Sequence, residues 1–146
     1  MKLEPEHHVL RYASYKKQLR DDDDNPIGLL PCAFDMRPRD NGKLSVNWIE
    51  YFTGDRNSMI DSAIADFRTR MTTAKNGIFG FANVGNLLRA CKNKNAKKVK
   101  VIHFPPRKSK ANGSHATINE LPEGSEEVTQ CLATEVFVEI VLAKDY

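Results

Sequence analysis

The chain has 146 residues, 40% of them hydrophobic and 28% charged, a balance that suits one globular domain and excludes a disordered chain. Its longest apolar run, Ile140 to Ala143, is far too short for a membrane span. The net charge of +3 conceals a strong segregation of sign, taken up below.

In chain order, Met1 to His8 lacks an apolar core segment, so no signal peptide is expected. Residues 7–13 are rich in strand formers and predict a strand. Asp21 to Asp24, followed by Asn25-Pro26, predict a solvated loop, because adjacent carboxylates repel and the residue before proline avoids the helical region. Four contiguous aspartates lack the spaced ligands of a calcium loop. Residues 29–36 read as a second strand with Pro31 at its edge. Arg37 to Gly42 is turn chemistry, with Asn41-Gly42 its strongest element. Residues 43–48 alternate and place Leu44, Val46 and Trp48 on one face of a third strand. Ile49 to Phe52 predicts one helical turn ending at Gly54.

The spacing of Ile60, Ala63, Ile64, Phe67 and Met71 predicts an amphipathic helix over 58–74, with Ser58 to Asp61 as a capping box. Residues 78–82 read as a short buried strand. Asn83 is placed to cap a short helix from Val84 to Ala90, whose N-terminus could meet an anion. Glycines 77, 80 and 85 match no nucleotide-binding motif. Val99 to Phe104 predicts a fifth strand, and Arg107 to Ser114 an exposed basic loop. His115 to Ile118 is a brief strand or turn. Val128, Leu132, Val136 and Ile140 recur every four residues and favour a helix over Glu126 to Leu142, although the β-branched run 135–142 also suits a strand.

The expected architecture is therefore α+β: one domain over 1–146, with a mixed, mostly antiparallel sheet of about five strands packed by two main helices. The odd, widely spaced cysteines Cys32, Cys91 and Cys131 read as reduced, packed thiols and point to a cytoplasmic setting.

Residues 1–66 hold 12 acids and 9 Lys/Arg, residues 67–119 hold 12 Lys/Arg and no acid, and residues 120–146 hold 7 acids and one Lys. A basic stretch of that kind is the usual footprint of an anionic partner, nucleic acid above all. The candidate anion-binding residues are Arg89, Lys92, Lys94, Lys97, Lys98, Lys100, Arg107, Lys108 and Lys110. The acidic flanks could instead fold back and neutralise them.

A second reading is an enzyme on a phosphorylated or nucleotide substrate. Arginine forks phosphate and histidine titrates near neutral pH, so the candidates are His115 and His103 with Arg11, Arg37 and Glu50. A third is a protein-interaction module or homodimer using the broad apolar face of a C-terminal helix (Val136, Phe137, Val138, Ile140, Val141, Leu142). The four histidines and three cysteines show no metal-ligand spacing. No metal, cofactor or membrane partner is expected.

Two stretches, Leu10-Arg11-Tyr12 with Ala33-Phe34, Arg37 and Leu44 to Phe52, and then Ser114-His115-Ala116, resemble a small group of bacterial proteins of unknown function. The resemblance implies a bacterial, cytoplasmic protein and directs attention to Arg11, Arg37, Asn47, Glu50 and His115.

Overall fold

The computed structural model describes all 146 residues. Eight strands and three helices form an α+β fold. The strands are β1 (His8–Ala13), β2 (Gln18–Arg20), β3 (Pro26–Leu29), β4 (Leu44–Trp48), β5 (Ile78–Asn83), β6 (Lys100–His103), β7 (His115–Asn119) and β8 (Glu139–Leu142). The helices are α1 (Arg56–Arg68), α2 (Val84–Asn93) and α3 (Glu126–Cys131). Six strands make the main sheet in the order β6-β7-β4-β1-β5-β8, every neighbour antiparallel. Strands β2 and β3 form a separate hairpin.

The alternation of side chains along each strand divides the core into two layers. Val9, Ala13, Val46 and Ala82 face α2, α3 and the turn at Phe34. Leu10, Phe79 and Phe81 face Ile60, Ala63 and Ile64 of α1. Gly80, central in β5, leaves room for the Leu29 side chain; a Cβ there would come within 2.7 Å of it.

Three expectations change. Residues 29–36 are not a strand. The strand β3 ends at Leu29, and Pro31–Phe34 form a 3-10 turn with proline at its start, where the missing N–H costs nothing. Helix α1 begins at Arg56 rather than Ser58. Its cap is Asp55, whose side chain accepts from Ser58 N at 2.8 Å. The helix stops at Arg68, and Met71 is exposed.

The largest change is at the C-terminus. Helix α3 ends at Cys131, passes into a wide π turn over Leu132–Val136, and gives way to β8. Phe137 leaves the helical region (φ −91°, ψ 62°) and is fully buried against Phe34, with ring centroids 5.0 Å apart. Strand β8 then pairs with β5 from Ile78↔Leu142 to Phe81↔Glu139. The outer edge of β5 needs backbone partners, and a β-branched segment supplies them at low conformational cost. The apolar helix face on which a homodimer reading rests is therefore not formed.

The aspartate run does form a turn. Asp21 Oδ1 accepts from Asp23 N and Asn25 N, at 3.0 and 2.9 Å. Asp24 takes the left-handed conformation between β2 and β3. In the main sheet, Met1–Leu3 lie along the outer edge of β6, through Leu3 N to Val101 O at 2.9 Å and His103 N to Met1 O at 2.8 Å.

Replacing Phe137 with Ala should cost about 3–5 kcal/mol, read as a lowered urea midpoint. The Asp55 cap gives a pH test. Backbone and side-chain hydrogen bonds from Ser58 hold its carboxyl below the ordinary 3.8. Its contribution is thus complete above that value and lost as pH falls through the depressed pKa. An Asp55→Asn protein, which keeps the cap but not the charge, should show a shallower loss of stability between about pH 5 and pH 2 in denaturant titrations.

Candidate functional site

Strand β1 pairs with β5 along all six of its residues but with β4 only at Val9↔Trp48 and Leu10↔Asn47. Beyond Leu10 the two central strands diverge and open a cleft of about 850 Å³. Arg11 bridges the divergence. Its Nε donates to Ala33 O at 2.7 Å and its Nη1 to Ser45 O at 2.6 Å. No carboxylate pairs with it directly. Burial pushes its pKa down to about 10, while the charge of Asp40 acts in the opposite sense, so it remains a cation at neutral pH.

His115 comes to the same place from β7. It lies directly across from Asn47, on the same sheet face as Ser45. Its Nδ1 lies 2.7 Å from Phe104 O and its Nε2 3.1 Å from Ser45 Oγ. The carbonyl can only accept, so Nδ1 carries a proton and the neutral ring accepts from the Ser45 hydroxyl at Nε2. Arg11 therefore binds the carbonyl of Ser45 and His115 its hydroxyl, from the strands on either side of β4.

The remaining walls bring Lys17, Arg37, Lys43 and Arg70, with Asp35 and Asp40 the only carboxylates. Arg37 is held at the rim by Asp40, whose two oxygens accept from its backbone N at 2.7 Å, Nη2 at 3.2 Å and Nε at 3.3 Å. These contacts keep the Asp40 carboxyl below its ordinary range. Phe67, Met71, Met36 and Phe104 add apolar surface, and Lys43 Nζ lies 5.5 Å from the centroid of the Phe104 ring.

Of the five candidate catalytic residues, Arg11, Arg37 and His115 thus line one cleft, and two do not. His103 is opposite Ala116 in the β6–β7 ladder, on the reverse face from His115. It packs beside Trp48 and Tyr51 and reaches Gly113 O from Nε2 at 2.7 Å. Glu50 accepts from His8 N at 2.6 Å and pairs with His8 Nδ1 at 2.7 Å, away from the cleft. Ser45, Lys17, Lys43 and Arg70 are cleft residues that sequence reasoning did not select. Arg70 was explicable as a cation at a helix end, and no motif marks a serine on an alternating strand.

The candidate anion-binding residues form a continuous basic tract from the second half of α2, through the turn at 94–99 and β6, into the loop 104–114. Arg89, Lys92, Lys97, Lys98, Lys100, Arg107, Lys108 and Lys110 are exposed, and Lys94 is half-buried. Only Lys94 meets a carboxylate, Glu127 at 3.8 Å. Two further acids of the flanks pair elsewhere, Asp24 with Arg20 and Tyr15, and Glu139 with Arg56. They do not form ion pairs with the rest of the tract. The expected anion site at the start of α2 is closed, because Val84 N donates to His7 O, Gly85 N to Pro5 O and Asn86 N to Asn83 Oδ1, all at 2.9 Å. Asn83 is the cap that the sequence predicts.

The basic loop is anchored at its far end. Asp66 of α1 accepts from Gly113 N at 3.2 Å and from Ser114 N and Oγ at 2.8 and 2.5 Å. Asn47 Nδ2 donates to Asn112 Oδ1 and Ser114 Oγ, at 2.6 and 2.8 Å. This network ties the loop to the floor of the cleft, which Asn47 and Asn112 also line. Cys91 and Cys131 are buried, with thiol pKa values pushed up to about 11 and about 12 by desolvation, Glu135 adding to the latter, so neither serves as a nucleophile near neutral pH. No group of three or more His, Cys, Asp or Glu side chains is gathered as metal ligands, and no helix is long and apolar enough to cross a membrane.

No family model, no curated protein and no solved structure matches the chain.

Ser114→Ala removes a hydroxyl shared by Asp66 and Asn47 in a fully buried position. It should cost about 1–3 kcal/mol, and limited proteolysis should cut more rapidly within residues 104–114.

Proposed function

We propose that the protein binds a polyanion, with nucleic acid as the partner, along the basic tract from Arg89 to Lys110. The observation that carries this reading is the lack of internal neutralisation. Nine cations lie on consecutive elements, and one of them, Lys94, meets an acid. Exposed cations that close together repel one another, and an arriving polyphosphate relieves the repulsion while releasing its own counterions.

The manner of contact follows from the fold. The outer edge of β6 is occupied by Met1–Leu3, so a partner meets side chains there rather than free backbone groups. Flexible lysines predominate over arginines, seven to two in the tract. Lysine acts on phosphate as a point charge, which favours sequence-independent contacts with the backbone over the reading of base edges.

Binding to labelled single- and double-stranded DNA and RNA should be measured across a series of salt concentrations. The logarithm of the association constant should fall linearly with the logarithm of salt concentration, by about 0.7–0.9 per phosphate contact. Reversing the charge at Lys97, Lys98, Lys108 and Lys110 together should weaken binding and flatten that slope. Affinity unchanged by the four reversals would rule the tract out as the binding surface.

A further inference from the structure

The cleft between β1 and β4 is separate from the basic tract in its chemistry. The tract is open and hydrophilic, whereas the cleft is concave, with a partly apolar lining and the half-buried guanidinium of Arg11 among its residues. Its volume of about 850 Å³ falls within the range of sites for small organic ligands, about 300–1,000 Å³. Five cations against two carboxylates line it. That excess suits a doubly charged phosphate better than a single carboxylate.

The base of the cleft has the parts of an oxyanion seat. Arg11 uses Nε and Nη1 on two carbonyls, which fixes the plane of the guanidinium and leaves Nη2 without a protein acceptor. A phosphate oxygen in the cleft would give that donor a charge-assisted bond. Ser45 Oγ and His115 Nε2, already 3.1 Å apart, sit beside the carbonyl that Arg11 binds. The serine hydroxyl can donate to a phosphate oxygen, and His115 can donate as well once protonated. Around this seat, Phe67, Met71 and Phe104 supply surface for an organic body, Phe104 and Met71 both being exposed. Large exposed apolar side chains at the mouth of a cationic cleft have a use if a ligand covers them.

We propose that this cleft binds a phosphorylated small molecule of mononucleotide size, its phosphate at Arg11, Ser45 and His115 and its organic body against Phe67, Met71 and Phe104. The proposal does not depend on nucleic-acid binding by the basic tract.

The test is calorimetric titration of the full chain with the four nucleoside monophosphates, the matching nucleosides and inorganic phosphate. At least one monophosphate should bind saturably, and its nucleoside at least ten-fold more weakly. Two variants localise the site. Ser45→Phe places an aromatic ring in the cleft from an exposed strand position and should abolish binding. Arg70→Glu reverses a cation at the rim and should weaken binding at least ten-fold. Circular dichroism confirms that each variant is folded. Cys32, which lines the cleft while Cys91 and Cys131 are buried, gives an independent readout, since its alkylation should slow when the monophosphate is present. A Lys97→Glu/Lys98→Glu protein should bind the monophosphate as the parent does. Absence of binding by every monophosphate would overturn the proposal. So would binding unchanged by Ser45→Phe, or binding lost in the Lys97/Lys98 variant but retained in Ser45→Phe.

Discussion

The guanidinium of Arg11 is the bond on which the centre of the molecule depends. Two adjacent strands in the middle of a sheet ordinarily satisfy each other along their length. Here β1 leaves β4 after two residue pairs, and one side chain spans the opening to hold the Ser45 carbonyl on one side and the Ala33 carbonyl on the other. Arginine suits the position because its planar fork donates in two directions at once and is more weakly hydrated than an ammonium group. A lysine would have neither the geometry nor the tolerance of burial. The cleft follows from this: the chain keeps the sheet continuous with a side chain in place of a ladder, and the space beside that side chain is open to solvent.

The second organising constraint is the segregation of charge. The last acid before the basic segment is Asp66, and it is bound to the final residues of the basic loop. A single carboxylate thus fixes the end of a loop that carries three cations, while Glu50, Asp24, Asp40, Glu139 and Glu127 pair with His8, Arg20, Arg37, Arg56 and Lys94. Only one of these pairs, Glu127 with Lys94, reaches the basic tract, which leaves its other eight cations without a carboxylate.

Much of this was legible in the sequence. Alternation placed β1 and β4, an apolar run placed β5, the apolar stripe through Ile60, Ala63 and Ile64 placed α1, and Asn83 was recognisable as a cap because a short polar side chain preceded an apolar helical repeat. The basic tract could be read directly, since charge is a property of composition. The failures share a cause, which is that tertiary demand outweighed local periodicity. Val128, Leu132, Val136 and Ile140 keep helical spacing, yet the unpaired edge of β5 claims the last of them for a strand. Pro31 halts β3 where the pattern alone reads on to Met36. The cleft was legible only in part. Arg11, Arg37 and His115 stood out by residue type, but Ser45, Lys17 and Arg70 come from distant parts of the chain and have no shared motif. His103 and His115 look alike in sequence, and strand parity puts them on opposite faces.

The covering of one border of the sheet by Met1–Leu3 bears on what the sheet offers a second chain. A six-stranded sheet has two lateral borders, and each is a template on which another chain could add. One is sealed by the protein's own first residues. The other, β8, is only four residues long, begins at Glu139 held by Arg56, and runs into a tight turn at Ala143–Asp145. Shortness, a fixed charge and an abrupt end all discourage a second copy from extending the sheet. The two borders thus oppose edge-to-edge pairing by different means, occupancy at one and brevity and charge at the other.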